Sequence, residues 1–182
     1  MLIQETEYIF PNGEKAIIRS ACEQDATALK DLRECTSTET HFMARCPEDG
    51  PMNLENIRNG IQSMASSETN FMVTAFIGDE IIGDLGVTLV RPHFKYLHRG
   101  YLGMSIRQQY TSLGLGSFMM KLALEQAKEN GFEQVELGVY ADNERAQHLY
   151  KKMGFVECGR TPHAFKLPDG TYLDEILMVN ML

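Results

Sequence analysis

Two stretches of this chain hold residue types at spacings that chemistry could use. The first is Gln109-Tyr110-Thr111-Ser112-Leu113-Gly114-Leu115-Gly116-Ser117. It follows an extended pattern over residues 98–106 and opens a helical pattern over residues 115–130. A strand that turns through Gly-x-Gly into a helix is, physically, an anion site. Gly114 and Gly116 permit close backbone approach, and first-turn N–H groups have no partner within a helix. The helix dipole adds favourable potential for a pyrophosphate. Position 119 is Met and the loop carries no Gly-Lys-Ser/Thr, so the run is neither the dinucleotide fingerprint nor a P-loop.

The second stretch runs from Val139 to Phe155 and reads VYADNERAQHLYKKMGF. Asn143 has the residue type and place of a helix N-cap. Ala146, Leu149, Tyr150 and Met153 then share one helix face at i, i+3, i+4 and i+7. Read by itself, that spacing makes Tyr150 a core tyrosine.

Other reactive side chains are scattered. Strand 98–106 holds no carboxylate; Glu136 on the neighbouring strand, Asp84 on the preceding hairpin and His98 at the strand's own start are the candidate bases. Spacing does not choose among them. Cys22, Cys35, Cys46 and Cys158 form no CxxC pair, which predicts free, mostly buried thiols in a reducing compartment. His41 and Cys46 lack two further ligands at suitable spacing, so no metal is expected.

The elements that must position these residues alternate between strand and helix. The chain has 182 residues, 43% of them hydrophobic and 23% charged, which suits a single domain over residues 1–182 with an ordinary core. Residues 6–10 and 14–20 flank Pro11-Asn12-Gly13 as a hairpin. A helix follows from Gln24-Asp25 to about Glu34, and a second begins after Asn53 with Leu54, Ile57, Ile61 and Met64 on one face. Residues 36–52 read as loop with a short helical piece. Residues 71–77 and 81–90 form a strand pair around Gly78-Asp79-Glu80. After strand 98–106 and helix 115–130, residues 132–140 alternate as a strand and 143–153 form a short helix. Residues 155–167 and 172–181 close the chain as a hairpin around Pro168-Asp169-Gly170.

A net charge of −8 disfavours general nucleic-acid binding, because a phosphate backbone calls for a basic surface. No apolar run is long enough to span a membrane, and MLIQETEYIF is not a secretory signal. The expectation is a cytoplasmic protein without nucleic-acid or membrane partners.

The two stretches taken together, a strand entering Gly-x-Gly and then Asn143, Ala146, Leu149, Tyr150, Gly154 and Phe155 in the pattern N-x-x-A-x-x-L-Y-x-x-x-G-F, resemble the GNAT family (Gcn5-related N-acetyltransferases). The resemblance covers roughly residues 15–160. It implies an α/β (α+β) fold with a bent, mostly antiparallel mixed sheet of six to seven strands and helices on both faces. It implies acetyl-CoA as cosubstrate, an amine acceptor (a small cationic amine or a protein amino group) and a possible homodimer. By the same resemblance, Thr111, Ser112, Leu113, Gly114, Leu115, Gly116 and Ser117 would cradle the pyrophosphate. Met104, Ser105 and Ile106 would pair with the pantetheine arm, Asn143 would bond near the thioester, and Tyr150 would serve as general acid. An acceptor pocket would form from the first two helices, residues 36–52, and Arg160, His163 and Phe165. Thr111 departs from the family's Arg or Gln at the first loop position, which removes a phosphate contact. A CoA-binding sensor without transfer activity and a binder of another nucleotide at the glycine turn are the competing readings.

Overall fold

The computed structural model describes residues 1–182. Its elements in order are β1 (Thr6–Ile9), β2 (Lys15–Arg19), α1 (Ala26–Glu39), α2 (Leu54–Ser66), β3 (Phe71–Ile77), β4 (Glu80–Leu89), β5 (Arg99–Ile106), α3 (Leu115–Glu129), β6 (Gln134–Tyr140), α4 (Glu144–Lys152), β7 (Val156–Lys166) and β8 (Tyr172–Met181). The strands make one eight-stranded sheet in the order β1-β2-β3-β4-β5-β6-β8-β7. It holds one strand more than the larger expected number, because the first arm of the N-terminal hairpin pairs fully, from Thr6↔Ile18 to Ile9↔Lys15. All neighbours are antiparallel except β5 and β6.

Alternation along the strands gives the sheet two apolar faces. On one, α1 and α2 bury Leu29, Leu32, Ile57 and Ile61 against Met72, Phe76 and Ile81. On the other, α3 buries Leu115, Met119, Met120, Ala123 and Ala127 against Leu85, Val87, Leu102, Val135 and Leu137. No helix is long and apolar enough to cross a membrane.

Helix α1 runs five residues past the expected end at Glu34. Its last turns are hydroxyl-rich, which argues against a helix by propensity. The hydroxyls of Thr36, Ser37 and Thr38 bond back to the carbonyls of Arg33, Glu34 and Cys35, which satisfies them within the helix where Thr36 and Ser37 are buried. The thiols also differ from expectation. All four are free, but Cys22 and Cys158 are exposed and the other two are only partly covered. Cys22 and Cys46 each open a 3-10 turn at the edge of the core.

The feature that makes the site is an interruption of the sheet. β5 and β6 pair only at Arg99↔Gln134, Gly100↔Val135 and Tyr101↔Glu136. Past that point β6 pairs with β8 up to Tyr140↔Glu175, while β5 stays on β4 up to Gly83↔Ile106. The two central strands therefore splay apart. The Arg99 guanidinium, with Nη2 2.8 Å from Glu136 Oε2, fastens the closed end of the wedge.

Candidate active site

The splay opens onto a cleft of about 430 Å³. One wall is β5, through Met104, Ser105 and Ile106. The floor is the glycine turn, through Thr111, Ser112, Gly114, Gly116 and Ser117. The far wall is α4, with Asn143 at its start and Tyr150 on its inner face. Twelve predicted residues were spread over three segments, and the fold converges all but two of them on this cleft. Leu113 and Leu115 are the exceptions. The Leu113 carbonyl accepts a 2.6 Å bond from the Tyr8 hydroxyl, and the Leu115 side chain is fully buried in the core. Neither side chain lines the cleft, so only their backbone could serve a ligand there.

Gly114 caps α3 in a left-handed conformation, φ 91°. A Cβ there would also stand 2.5 Å from the Tyr8 hydroxyl. A Cβ on Gly116 would meet Ile106 and Leu149, each at 3.3 Å. The two glycines thus admit both the turn and the approach of α3 to β5 and α4. The first-turn N–H groups of α3 border the open cleft as unpaired donors.

Asn143 Oδ1 caps α4 by accepting from the Ala146 N–H at 3.1 Å. Its carbonyl oxygen is therefore committed, and a ligand would meet its Nδ2. Tyr150 is 8% exposed. Its hydroxyl has no hydrogen-bond partner in the protein yet is not sealed from solvent, which leaves it directed at the cleft. Burial pushes its pKa up to about 12, with the neighbouring Tyr101 adding to the rise. The phenol is a fully loaded donor at neutral pH.

Sequence reasoning missed the cations. Arg145 and Lys152 line the cleft together with His148, two fixed cations and no Asp or Glu, in a chain of net charge −8. Arg145 Nη1 donates to Thr111 Oγ1 at 3.0 Å, and Thr111 Oγ1 donates to the Gln108 carbonyl at 2.7 Å. A guanidinium thus stands beside the loop position where the family pattern has its own polar side chain. The sequence signal was available, since Arg145 sits in the first turn of α4, next to the Asn143 cap. Thr40, Phe42 and Met43 also border the cleft. Their segment is fastened by His41 Nε2, 2.8 Å from Asp142 Oδ2.

A second cavity, of about 440 Å³, lies on the α1–α2 face of the same wedge. The two cavities share Thr36, Met43, Met104 and Ser105, so they meet on β5. As expected, α1, α2 and the segment after α1 line it. Arg160, His163 and Phe165 do not. Arg160 pairs with Asp174 at 3.3 Å, His163 stacks on Tyr172 and Phe165 stacks on Tyr140 at 3.7 Å between ring centres. The β7–β8 hairpin keeps these side chains for its own packing.

The carboxylates separate clearly. Glu136 accepts both Arg99 and Gln134, and the Arg99 bond holds its pKa below the usual range. Asp84 alone lines the second cavity. It stands opposite Ser105 in the β4–β5 register. Thr74 Oγ1 donates to its Oδ1 at 3.0 Å and Arg33 Nη2 to its Oδ2 at 3.2 Å. Burial pushes its pKa up, against the pull of Arg33. His98 lines neither cavity.

A sheet split at one parallel junction, with a glycine turn and a helix-borne tyrosine at the split, defines an acyltransferase-type architecture. The family profile described as Acetyltransferase (GNAT) family matches residues 28–155, and the chain belongs to that family. The structure is similar to an acetyltransferase of the GNAT family from Streptococcus pneumoniae, with a TM-score of 0.86 and 28% identity, covering 92% of this chain and 99% of that one. It shares its fold with a GNAT superfamily phosphinothricin acetyltransferase from Sinorhizobium meliloti solved in complex with acetyl-CoA, at 15% identity, a TM-score of 0.81, and coverage of 92% and 88%. N-alpha-acetyltransferase 30 of Xenopus laevis is 31% identical over 83 residues, 45% of this chain. That match spans only 30% of the relative's length.

Proposed function

We propose that this acetyltransferase moves the acetyl group of acetyl-CoA to the nitrogen of an amine. The observation that carries the reading is the meeting of two differently built cavities at Met104 and Ser105. One has only cations among its charged residues and ends at a row of unpaired helix N–H groups. The other holds one buried carboxylate, Asp84, the single candidate base among its lining residues, beside Arg33 and Arg45. A pyrophosphate-bearing donor suits the first, and a nitrogen that must lose a proton suits the second.

Acetyl-CoA supplies an activated acetyl thioester. The residues that fit it are Ser112, Gly114, Gly116 and Ser117 at the phosphates with Arg145 beside them, the free edge of β5 at Met104–Ile106, and Asn143 Nδ2. Asp84 receives the proton that the ammonium must lose before its nitrogen can attack. Tyr150 donates a hydrogen bond to the departing sulfur. Full proton transfer from a phenol at about 12 to a thiolate of ordinary pKa would be uphill by about 5 kcal/mol, so Tyr150 acts first as a hydrogen-bond donor. Over the turnover the ammonium gives one proton to solvent by way of Asp84, the C–S bond breaks as the C–N bond forms, and the second proton that the nitrogen sheds goes to the departing thiolate, leaving amide and thiol.

The reading includes a cytoplasmic setting, supported by four free thiols with no disulfide, and a homodimer that sedimentation would test. Arg145 at the glycine turn weighs against a module that has lost its phosphate contact. The test is thiol release from acetyl-CoA in the presence of an amine panel. Release that depends on both substrates supports transfer, and binding without release in any arm would leave a sensor.

A further inference from the structure

We propose that the acceptor is an apolar α-amino acid, held as a zwitterion in the second cavity with its carboxylate on Arg33. This rests on the acetyltransferase reading and adds the substrate class.

The charges in the cavity run opposite to the whole chain. Its charged lining residues are Arg33, Arg45 and Asp84, two cations against one anion, although the chain carries −8 overall. Asp84 already takes donors on both oxygens. A polyamine entering here would find a single, shared carboxylate and two like charges. Arg33 is in the opposite position. Its side chain is 39% exposed, and one contact to Asp84 is the only hydrogen bond of a group with five N–H donors. Its remaining donors are free for a planar anion, which an arginine fork grips in a bidentate way. Arg45, anchored by its bond to the Gly50 carbonyl, adds positive potential to the same lining.

The Arg33–Asp84 pair also has the right polarity for both ends of a zwitterion. Asp84 stands across from Ser105, where the two cavities meet, so an ammonium beside Asp84 lies at the reacting end. An ionised carboxylate has about four lone-pair sites, and two remain open on Asp84. The carboxylate of the acceptor then falls on the Arg33 side of the pair. Much of the remaining wall is apolar, with Leu29, Ile57, Ile61, Met64 and Met72, and its polar members, such as Thr36, Thr88 and Ser105, carry no charge. That wall suits an aliphatic or thioether side chain and gives a second ammonium nothing to pair with.

The test compares L-leucine and L-methionine with isoamylamine, leucinamide, spermidine and a leucine-initiated peptide amide, read by thiol release. Acetyl-CoA binding is followed separately by thermal shift. The expected result is kcat/KM at least tenfold higher for the two amino acids than for the arms that lack a free carboxylate. In Arg33→Lys, which keeps a cation beside Asp84, KM for leucine rises about tenfold while the acetyl-CoA shift is unchanged. Equal or better use of isoamylamine, spermidine or the peptide overturns the inference and leaves the acetyltransferase standing. So does an acetyl-CoA shift with no acceptor used in any arm. The absence of a shift with acetyl-CoA removes the acetyltransferase reading, and this inference with it.

Discussion

Arg145 Nη1 lies 3.0 Å from Thr111 Oγ1, so the first turn of α4 places a guanidinium at the loop position where Thr111 replaces the family's Arg or Gln. The cation sits in the cleft but comes from another element. Arg145→Ala should weaken acetyl-CoA binding roughly tenfold to a hundredfold, the worth of one hydrogen bond to a charged group. The loss should shrink as salt is raised. Thr111→Arg in the Arg145→Ala background should recover most of it. Calorimetric titration in low and high salt checks both. S-acetylpantetheine, which has no phosphate, should bind both forms equally.

Tyr150 makes two predictions with one substitution. Tyr150→Phe removes a hydrogen-bond donor, and kcat should fall by roughly tenfold to a hundredfold with acetyl-CoA affinity unchanged. The second concerns stability. The folded pKa, about 12, is above the free value of 10.0, so the native state holds this proton more tightly than the unfolded chain does. That stabilisation is complete below pH 10 and is lost as pH rises through 12. It amounts to roughly 2–3 kcal/mol for a side chain this buried. Urea unfolding of the two forms between neutral pH and the alkaline range should show wild type losing that much more than Tyr150→Phe.

Asp84→Asn keeps one acceptor oxygen, which can serve Arg33 while the Thr74 hydroxyl turns to accept from the new amide, but it cannot take a proton from an ammonium. Its kcat/KM should fall about a hundredfold or more while the acetyl-CoA thermal shift persists. Because burial pushes the Asp84 pKa up, the acid limb of the wild-type pH–rate profile should lie above the ordinary aspartate range. The limb should disappear in the variant's residual activity.

The outline of the fold and one half of the site were legible in the chain. The glycine turn, the Asn143 cap and the face carrying Tyr150 are local patterns, fixed by backbone conformation and helix period. What was not legible depends on pairings between distant residues. Asp84 became distinct from Glu136 only through the β4–β5 register and the Arg99 bond. Arg145 meets Thr111 across 34 residues of chain. Leu115 was grouped with its neighbours because a contiguous motif does not say which way each side chain turns. The hydroxyl run at the end of α1 looked like loop because propensity does not count the back-bonds that satisfy it.

Gly114 tests the floor of the cleft. Alanine there must hold φ near 91° and clear the Tyr8 hydroxyl, 2.5 Å from its Cβ. The left-handed conformation alone costs about 1–2 kcal/mol. Gly114→Ala should lower both the unfolding midpoint and the affinity for acetyl-CoA. Against Tyr8→Phe alone, which already lacks the bond to the Leu113 carbonyl, the added Gly114→Ala should cost only the part due to the backbone. Thermal scans of the single and double variants separate the two.

The central claim, that the wedge between β5 and β6 is an acetyl-CoA site, is tested most directly by the unfolding midpoint with and without acetyl-CoA, using ATP and NAD as controls. At a hundred times Kd the ligand adds about 2.7 kcal/mol to the native state. For a domain of this size the midpoint should rise by roughly 5–11 °C. The predicted result is a rise with acetyl-CoA and none with ATP or NAD. No rise at millimolar acetyl-CoA, or an equal rise with either control, would contradict the account.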